Sequence, residues 1–574
     1  LLLLTATTTI ILYQSRRSPL ESAVAATAVA PTATNPPSTE QTPTVPNARF
    51  VEAVSLDADS LNPIYTTNPT SLRAIRKILP ALVGQDPYTG MSNGAGLAER
   101  WYFSEDGRTL TFSLYEDWQW SDGAPVTARD VLFTYTLIRE PAVASPYRQN
   151  FANVAAVEYQ DDRTLLLRLT TPDCTIFQTL RQPILPAHLY QADVAQFLAA
   201  DPNRLLTVGA GPFLYEAQSA GQLTLVRNPT YRFGAPLIER YIYQRIDDTA
   251  QQLVALQEGR VDLVQLPLTE MPPLQPSATI TRYSAPLDSL TFLAVNLADP
   301  AQPTPGRSAE GALLPQPPHP ILSDLRVRQA LAYALDYPAL LAAGFANQAV
   351  HSAGYLAPTI TWAYDSTLAP YAYDPARAIA LLDEAGWAMT ADHEVRMRDG
   401  LALRLSLLTN DDSPARVRMG ELIQQQLQAI GVGVEFGAVP FDQVTGQLLA
   451  QRYDLTLIGW DTLGAEPANS DFWLSYQDLP TGAATTTLGG ANFVSYQDAE
   501  VDQWLEEART AADSDGGYRA ARYRQVQARI HEDLPYIVIG APLQSWAYRT
   551  EWQGILPQPW QFDYNIHRWW QAAE

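Results

Sequence analysis

The stretch from Leu97 to Ile138, LAERWYFSEDGRTLTFSLYEDWQWSDGAPVTARDVLFTYTLI, carries the reading of the fold. Within it Leu110, Phe112 and Leu114 alternate with Thr111 and Ser113, which predicts a half-buried strand over Thr109 to Tyr115. Ser121, Asp122 and Gly123 supply a turn. Thr127 and Asp130 then form a Thr-x-x-Asp start for a helix bearing Val131, Leu132, Tyr135 and Ile138. At 574 residues the chain exceeds what one hydrophobic core organises, so this strand, turn and helix belong to one of several lobes.

The second half shows a regular alternation of strands and helices. Leu401 to Leu408 reads as an apolar strand, followed by a helix that Ser413 and Pro414 open and Gly431 ends, with Val417, Leu422, Ile423, Leu427 and Ile430 on one face. Val432 to Phe436 is the next strand, Phe441 to Ala450 a helix, and Tyr453 to Ile458 a third strand running into Gly459, Trp460 and Asp461. Further helices are expected at Asp374 to Ala385, Asp498 to Ala508 and Gly517 to Leu534, and a strand at Tyr536 to Ile539. This order predicts a wound α/β lobe with a mainly parallel sheet. Ligands of such sheets lie outside the carboxyl ends of the strands, where Trp460 and Asp461 stand.

Composition narrows the function. The 61 acidic residues against 38 basic leave a formal charge of −23, which repels nucleic acid. Cys174 is the single cysteine, so an intramolecular disulfide and a Cys-based zinc cluster are excluded, and its apolar neighbours Ile176 and Phe177 predict a small buried residue. The six histidines are scattered without metal spacing. There is no G-x-S-x-G, H-E-x-x-H or G-x-x-x-x-G-K-[ST], and the glycines at 209 and 211 lead into Pro212 and Phe213 as a turn. Leu1 to Leu12, with Arg16 and Arg17 behind it, is too short to span a bilayer but is expected to be part of a signal sequence or membrane anchor over residues 1–17. Residues 18–47, rich in Pro, Thr, Ala and Ser, are expected to form a disordered spacer. With no cysteine before Cys174, a lipidated N-terminus has no support.

Several segments, in order, resemble the family 5 extracellular solute-binding proteins of ATP-binding-cassette importers. Leu97, Ala98, Glu99 and Trp101, then Asp122, Gly123, Pro125, Thr127, Ala128, Asp130 and Val131, are similar to the family's opening pattern. The segment Val208 to Val264, with GAGPF, RNPTY and LVALQEGRVD, resembles its next elements, as do LAVNLADP at 293–300, DLRVRQALAYALDYPAL at 324–340 and YDPARAIALLDEAGW at 373–387. The resemblance implies a periplasmic-binding-protein-like two-lobed clamp (type II, cluster C) with an additional α+β subdomain. Its first lobe would comprise about 48–79, 207–286 and 536–574, the extra subdomain about 80–206, and the second lobe about 287–535.

It further implies a monomeric, non-enzymatic protein without a cofactor, periplasmic or at the cell surface, touching the membrane only through its N-terminal segment. Such a protein takes up a peptide or other small polar solute and hands it to the permease subunits. In peptide-binding members an aspartate three residues after the strand-end tryptophan receives the ligand's amino terminus. Here that position is Leu463, and Asp461 or Glu466 would have to replace it through a shifted loop. The candidate ligand residues are Trp460, Asp461, Tyr65, Thr67 and Asn68; core packing is the competing reading for Trp460, and an inert loop position for the others. A secreted hydrolase acting on glycan or peptide, or a sensor presenting its ligand to a receptor, are the alternatives.

Overall fold

The computed structural model describes residues 47–572, apart from 201–206, 267–276, 309, 390–393, 462, 468–471, 481–489 and 512–515. The expectations for residues 1–17, and for 18–46 of the spacer, lie outside them.

The quoted stretch folds as read. Thr109–Leu114 is a strand whose side chains alternate between buried and half-buried. It is central in a four-stranded antiparallel sheet with Ala98–Phe103, Thr164–Leu169 and Val154–Asp161. Helix Ala128–Arg139 starts at Thr127, whose backbone N–H donates to the Asp130 carboxylate at 2.7 Å. The other Asp130 oxygen accepts from Ala187 N at 2.8 Å, so this buried carboxylate stitches the helix start to a distant segment.

The large sheet has twelve strands and one organising feature, the 14-residue strand Tyr536–Arg549. Its first part pairs antiparallel with Leu290–Val295, beyond which lie Leu455–Trp460, Arg404–Asn410 and Gly433–Val439. Its last part pairs with Leu263–Leu266 and Ile280–Pro286, and Leu263–Leu266 leads on to Arg49–Val54 and Arg240–Arg245. The strand therefore belongs to both sides of the fold. The chain crosses between them twice, at 287–289 and at 540–542, where Leu287 N donates to Pro542 O at 2.9 Å.

Three expectations need correction. The strand at 536 runs to 549, not to 539; Gly540 and Pro542 look like a strand end in the sequence, but they occur where the strand changes partners and a ladder N–H is dispensable. Leu401–Ala402 pairs only with Met397–Arg398 in a small hairpin, with Leu401 43% exposed, and the sheet strand begins at Arg404. The sheet is parallel among Arg404–Asn410, Gly433–Val439 and Leu455–Trp460, but Leu290–Val295 is antiparallel to both its neighbours.

Apolar side chains gather accordingly. One core unites Phe50, Ile75 and Tyr241 with Phe112, Tyr135 and Leu167 of the four-stranded sheet and with Trp552 and Trp569 near the C-terminus. Two others cover opposite faces of the second sheet region, one around Leu331, Leu382 and Met419, the other around Phe292, Trp473 and Tyr536.

Candidate ligand site

Strand order reverses at Arg404–Asn410. The helix Pro414–Ala429 leads to Gly433–Val439 on one side, and the helix Phe441–Leu449 returns the chain to Leu455–Trp460 on the other. In open α/β sheets the carboxyl ends of the strands at such a reversal are where ligands bind. Ser413 caps the first helix through Arg416 N, and in its first turn Arg416 donates to the Asn410 side chain at 3.0 Å. Burial pulls the Arg416 guanidinium below its ordinary pKa, against the charges of Asp461 and Asp412. Gly459 has to be small: a Cβ there would lie 2.5 Å from Leu290 O and 3.0 Å from the Arg416 guanidinium.

Trp460 ends its strand half-buried, with one ring face parallel to Phe472 at 4.1 Å and with Phe292 and Phe493 at 5.8 and 5.7 Å. Asp461 is exposed.

On the other side, the loop after Arg49–Val54 carries Tyr65, Thr67 and Asn68. Tyr65 is 37% exposed and stacks on Phe197 at 5.9 Å. Thr67 is exposed. Asn68 caps helix Pro69–Ile78, its Oδ1 accepting from Thr70 N and Ser71 N at 2.9 and 3.0 Å while its Nδ2 donates to Asp57 O. The loop is braced by Asp59, which accepts from Thr66 and Ser71, and by Tyr147 and Gln182, which donate to Thr66 O and Pro63 O. Among the described residues no hydrogen bond or ring contact joins Tyr65, Thr67 or Asn68 to Trp460 or Asp461.

The loop after Trp460 shows what sequence reasoning missed. Leu463 is buried and its N–H donates to Asp288 O at 2.7 Å, while Gly464 N donates to the Asp288 carboxylate at 3.0 Å. The loop is thus held by the crossing at 287–289. Glu466 is almost wholly buried and ion-paired to Arg519 at 2.7 Å, so the carboxylate that stood as a substitute for the aspartate absent at 463 already has a cation. Gln178, from the segment after the four-stranded sheet, donates to Glu466 O at 3.1 Å. Its neighbour Arg181 donates to Gly90 O at 2.6 Å and to the Ser92 hydroxyl at 3.2 Å. Burial pulls the Arg181 guanidinium down to about 10, Glu466 opposing this and Arg76 adding to it. Trp362 closes the loop by donating to Ala465 O at 2.9 Å. No spacing rule could have brought Arg181, Glu466 and Arg519 together; only the fold does. Cys174 is buried as expected and donates to Ala511 O.

Among the described residues no three His, Cys, Asp or Glu side chains are grouped to hold a metal ion, and no helix is long and apolar enough to cross a membrane. A sheet region on either side of two chain crossings, with a strand-order reversal on one side, is the architecture of a solute-binding clamp. Residues 94–480 match the family description "Bacterial extracellular solute-binding proteins, family 5 Middle", and the chain belongs to this family, whose members capture solutes outside the cytoplasm. The oligopeptide-binding protein AppA of Bacillus subtilis is 25% identical over 523 residues, 89% of each chain. The nickel-binding periplasmic protein of Escherichia coli is 26% identical over 457 residues, 77% of this chain and 80% of that one. Among solved structures, HbpA2 from Haemophilus parasuis superposes with a TM-score of 0.74 at 20% identity, over 90% of this chain and 98% of that one. The chain is accordingly a solute-binding protein that delivers its solute to the permease of an ATP-binding-cassette importer.

Proposed function

We propose that the solute is a peptide or a similar small polar molecule, held between the 59–68 loop and the strand ends at Asn410 and Trp460. The observation that carries this reading is the strand-order reversal, at whose carboxyl end Trp460, Asp461 and Arg416 stand. The names of relatives matched along most of the chain support a peptide, among them the di/tripeptide-binding protein of Pseudomonas aeruginosa, which spans 88% of this chain. Trp460 offers ligand only what Phe472 leaves free, while Tyr65 and Thr67 offer exposed polar and aromatic surface; Asn68 serves the loop that carries them. The shared core of residues 48–283 and 546–569 supports grouping the extra subdomain of about 80–206 with the first lobe. The protein acts as a monomer without catalysis, and residues 1–17 belong to a signal sequence or a membrane anchor joined to the body by the spacer.

Mass spectrometry of molecules released on denaturing freshly purified protein tests the reading, together with fluorescence titration of the same molecules. A peptide mixture that binds saturably and is recovered intact is the expected result. A single sugar or a metal complex would overturn the peptide reading, and recovery of cleaved product would make the protein a hydrolase.

A further inference from the structure

Beside the Glu466 loop one arginine has only neutral hydrogen-bond acceptors among the described residues. Arg519 and Glu466 pair at 2.7 Å with side chains only 4% and 3% exposed, which satisfies both. Arg181 lies on the facing segment, and the charges it feels most are that same Glu466 carboxylate and the Arg76 guanidinium. Its own acceptors, Gly90 O and the Ser92 hydroxyl, are neutral, and its buried Nε–H has no acceptor among the described residues. Arg76, in the last turn of helix Pro69–Ile78, is exposed and enters no ion pair there. Arg181 thus stands near a carboxylate that Arg519 already holds, and among the described residues it has no ion-pair partner of its own. A half-buried guanidinium with no carboxylate of its own and an N–H unmet is a place where an arriving anion can complete the pairing.

The place is suited to a ligand. Gln182, next to Arg181, donates to Pro63 O, and Tyr147, which feels the charge of Arg76, donates to Thr66 O, so both arginines flank the loop carrying Tyr65 and Thr67. Across from them the position that would hold a ligand-binding aspartate is the buried Leu463.

We infer that Arg181, with Arg76, forms an anion subsite, and that the captured solute is recognised there by a carboxylate rather than by an amino group. This rests on the solute-capture reading above and specifies its chemistry. An arginine fork meeting a carboxylate forms charge-assisted hydrogen bonds, and Arg181 has an N–H to give.

The test compares trialanine, N-acetyl-trialanine, trialanine amide, citrate and maltotriose on the whole protein, by tryptophan fluorescence and thermal shift, in wild type, Arg181→Met and Arg181→Lys. N-acetyl-trialanine is expected to bind within about threefold of trialanine, and the amide about tenfold or more weakly. Arg181→Met is expected to erase that difference and Arg181→Lys to keep part of it. The acid-against-amide comparison needs no variant, so a variant that fails to fold leaves the inference testable. An amide that binds as well as the acid overturns it, as does loss of the amino group costing more than loss of the carboxylate. If no peptide binds but citrate raises the melting temperature in an Arg181-dependent way, the peptide reading falls and the anion subsite stands. If only maltotriose binds, or none of the five does, the anion subsite is overturned.

Discussion

Beneath the first strand, helix Pro69–Ile78 brings Arg73 to Glu52 and Lys77 to Asp563, while Tyr241 donates to the second Glu52 oxygen at 2.6 Å. Lys77 also lies 4.8 Å from the Tyr241 ring centroid, and the nearby acidic groups hold its ammonium well above its ordinary range despite burial. Around Glu466, by contrast, Arg519 has the carboxylate and Arg181 has carbonyl and hydroxyl oxygens. In the first cluster every cation has its own carboxylate, and the group fastens the C-terminal segment to the helix. In the second a cation is left over. Matched buried charge does a structural job; unmatched charge at a seam marks where something from outside completes the pairing.

The contrast can be broken by mutation. Lys77→Met leaves the half-buried Asp563 without its cation and is expected to cost about 3 kcal/mol in urea unfolding; a loss below about 1 kcal/mol would remove the first cluster from any structural role. Next in size is a pH effect. Burial pushes the Asp262 carboxyl, which accepts from Val51 N at 2.7 Å, up to about 6. The folded protein then keeps a proton between about pH 4 and 6 that the unfolded chain releases, so this stability is present below about pH 4 and lost as pH rises through 6. The change across this window amounts to about 3 kcal/mol at most, and Asp262→Asn should flatten it. Arg519→Met is expected to cost about 2 kcal/mol, less than Lys77→Met because Arg181 is at hand for the stranded Glu466; adding Arg181→Met should deepen the loss. Smallest is Arg181→Met alone: without ligand it should change stability by less than about 1 kcal/mol or raise it, and a loss near 3 kcal/mol would make the seam structural like the first cluster.

Much of the fold was legible because its signals are local. The alternation at Thr109 to Leu114, the Thr127 and Asp130 helix start, the Ser413 cap and the helices beginning at Asp374 and Asp498 each depend on neighbours a few residues away, and each stands where the sequence put it. The long strand at 536–549 was cut short in reading because Gly540 and Pro542 break a local pattern whose justification is tertiary. At the site, the loss of an aspartate at Leu463 could be read directly, since it needs only a count from Trp460. The meeting of Arg181, Glu466 and Arg519 could not, because residues from three distant segments meet only after folding.

The shared strand also sets an order in time. During synthesis both sheet regions lack the strand between them until residues 536–549 have been made, near the end of the chain. Leu290–Val295 and Leu263–Leu266 are complete long before their common partner exists. The body therefore cannot close its main sheet while the ribosome is still adding most of its residues. For a family that works outside the cytoplasm, the main sheet is thus among the last parts of the body able to close.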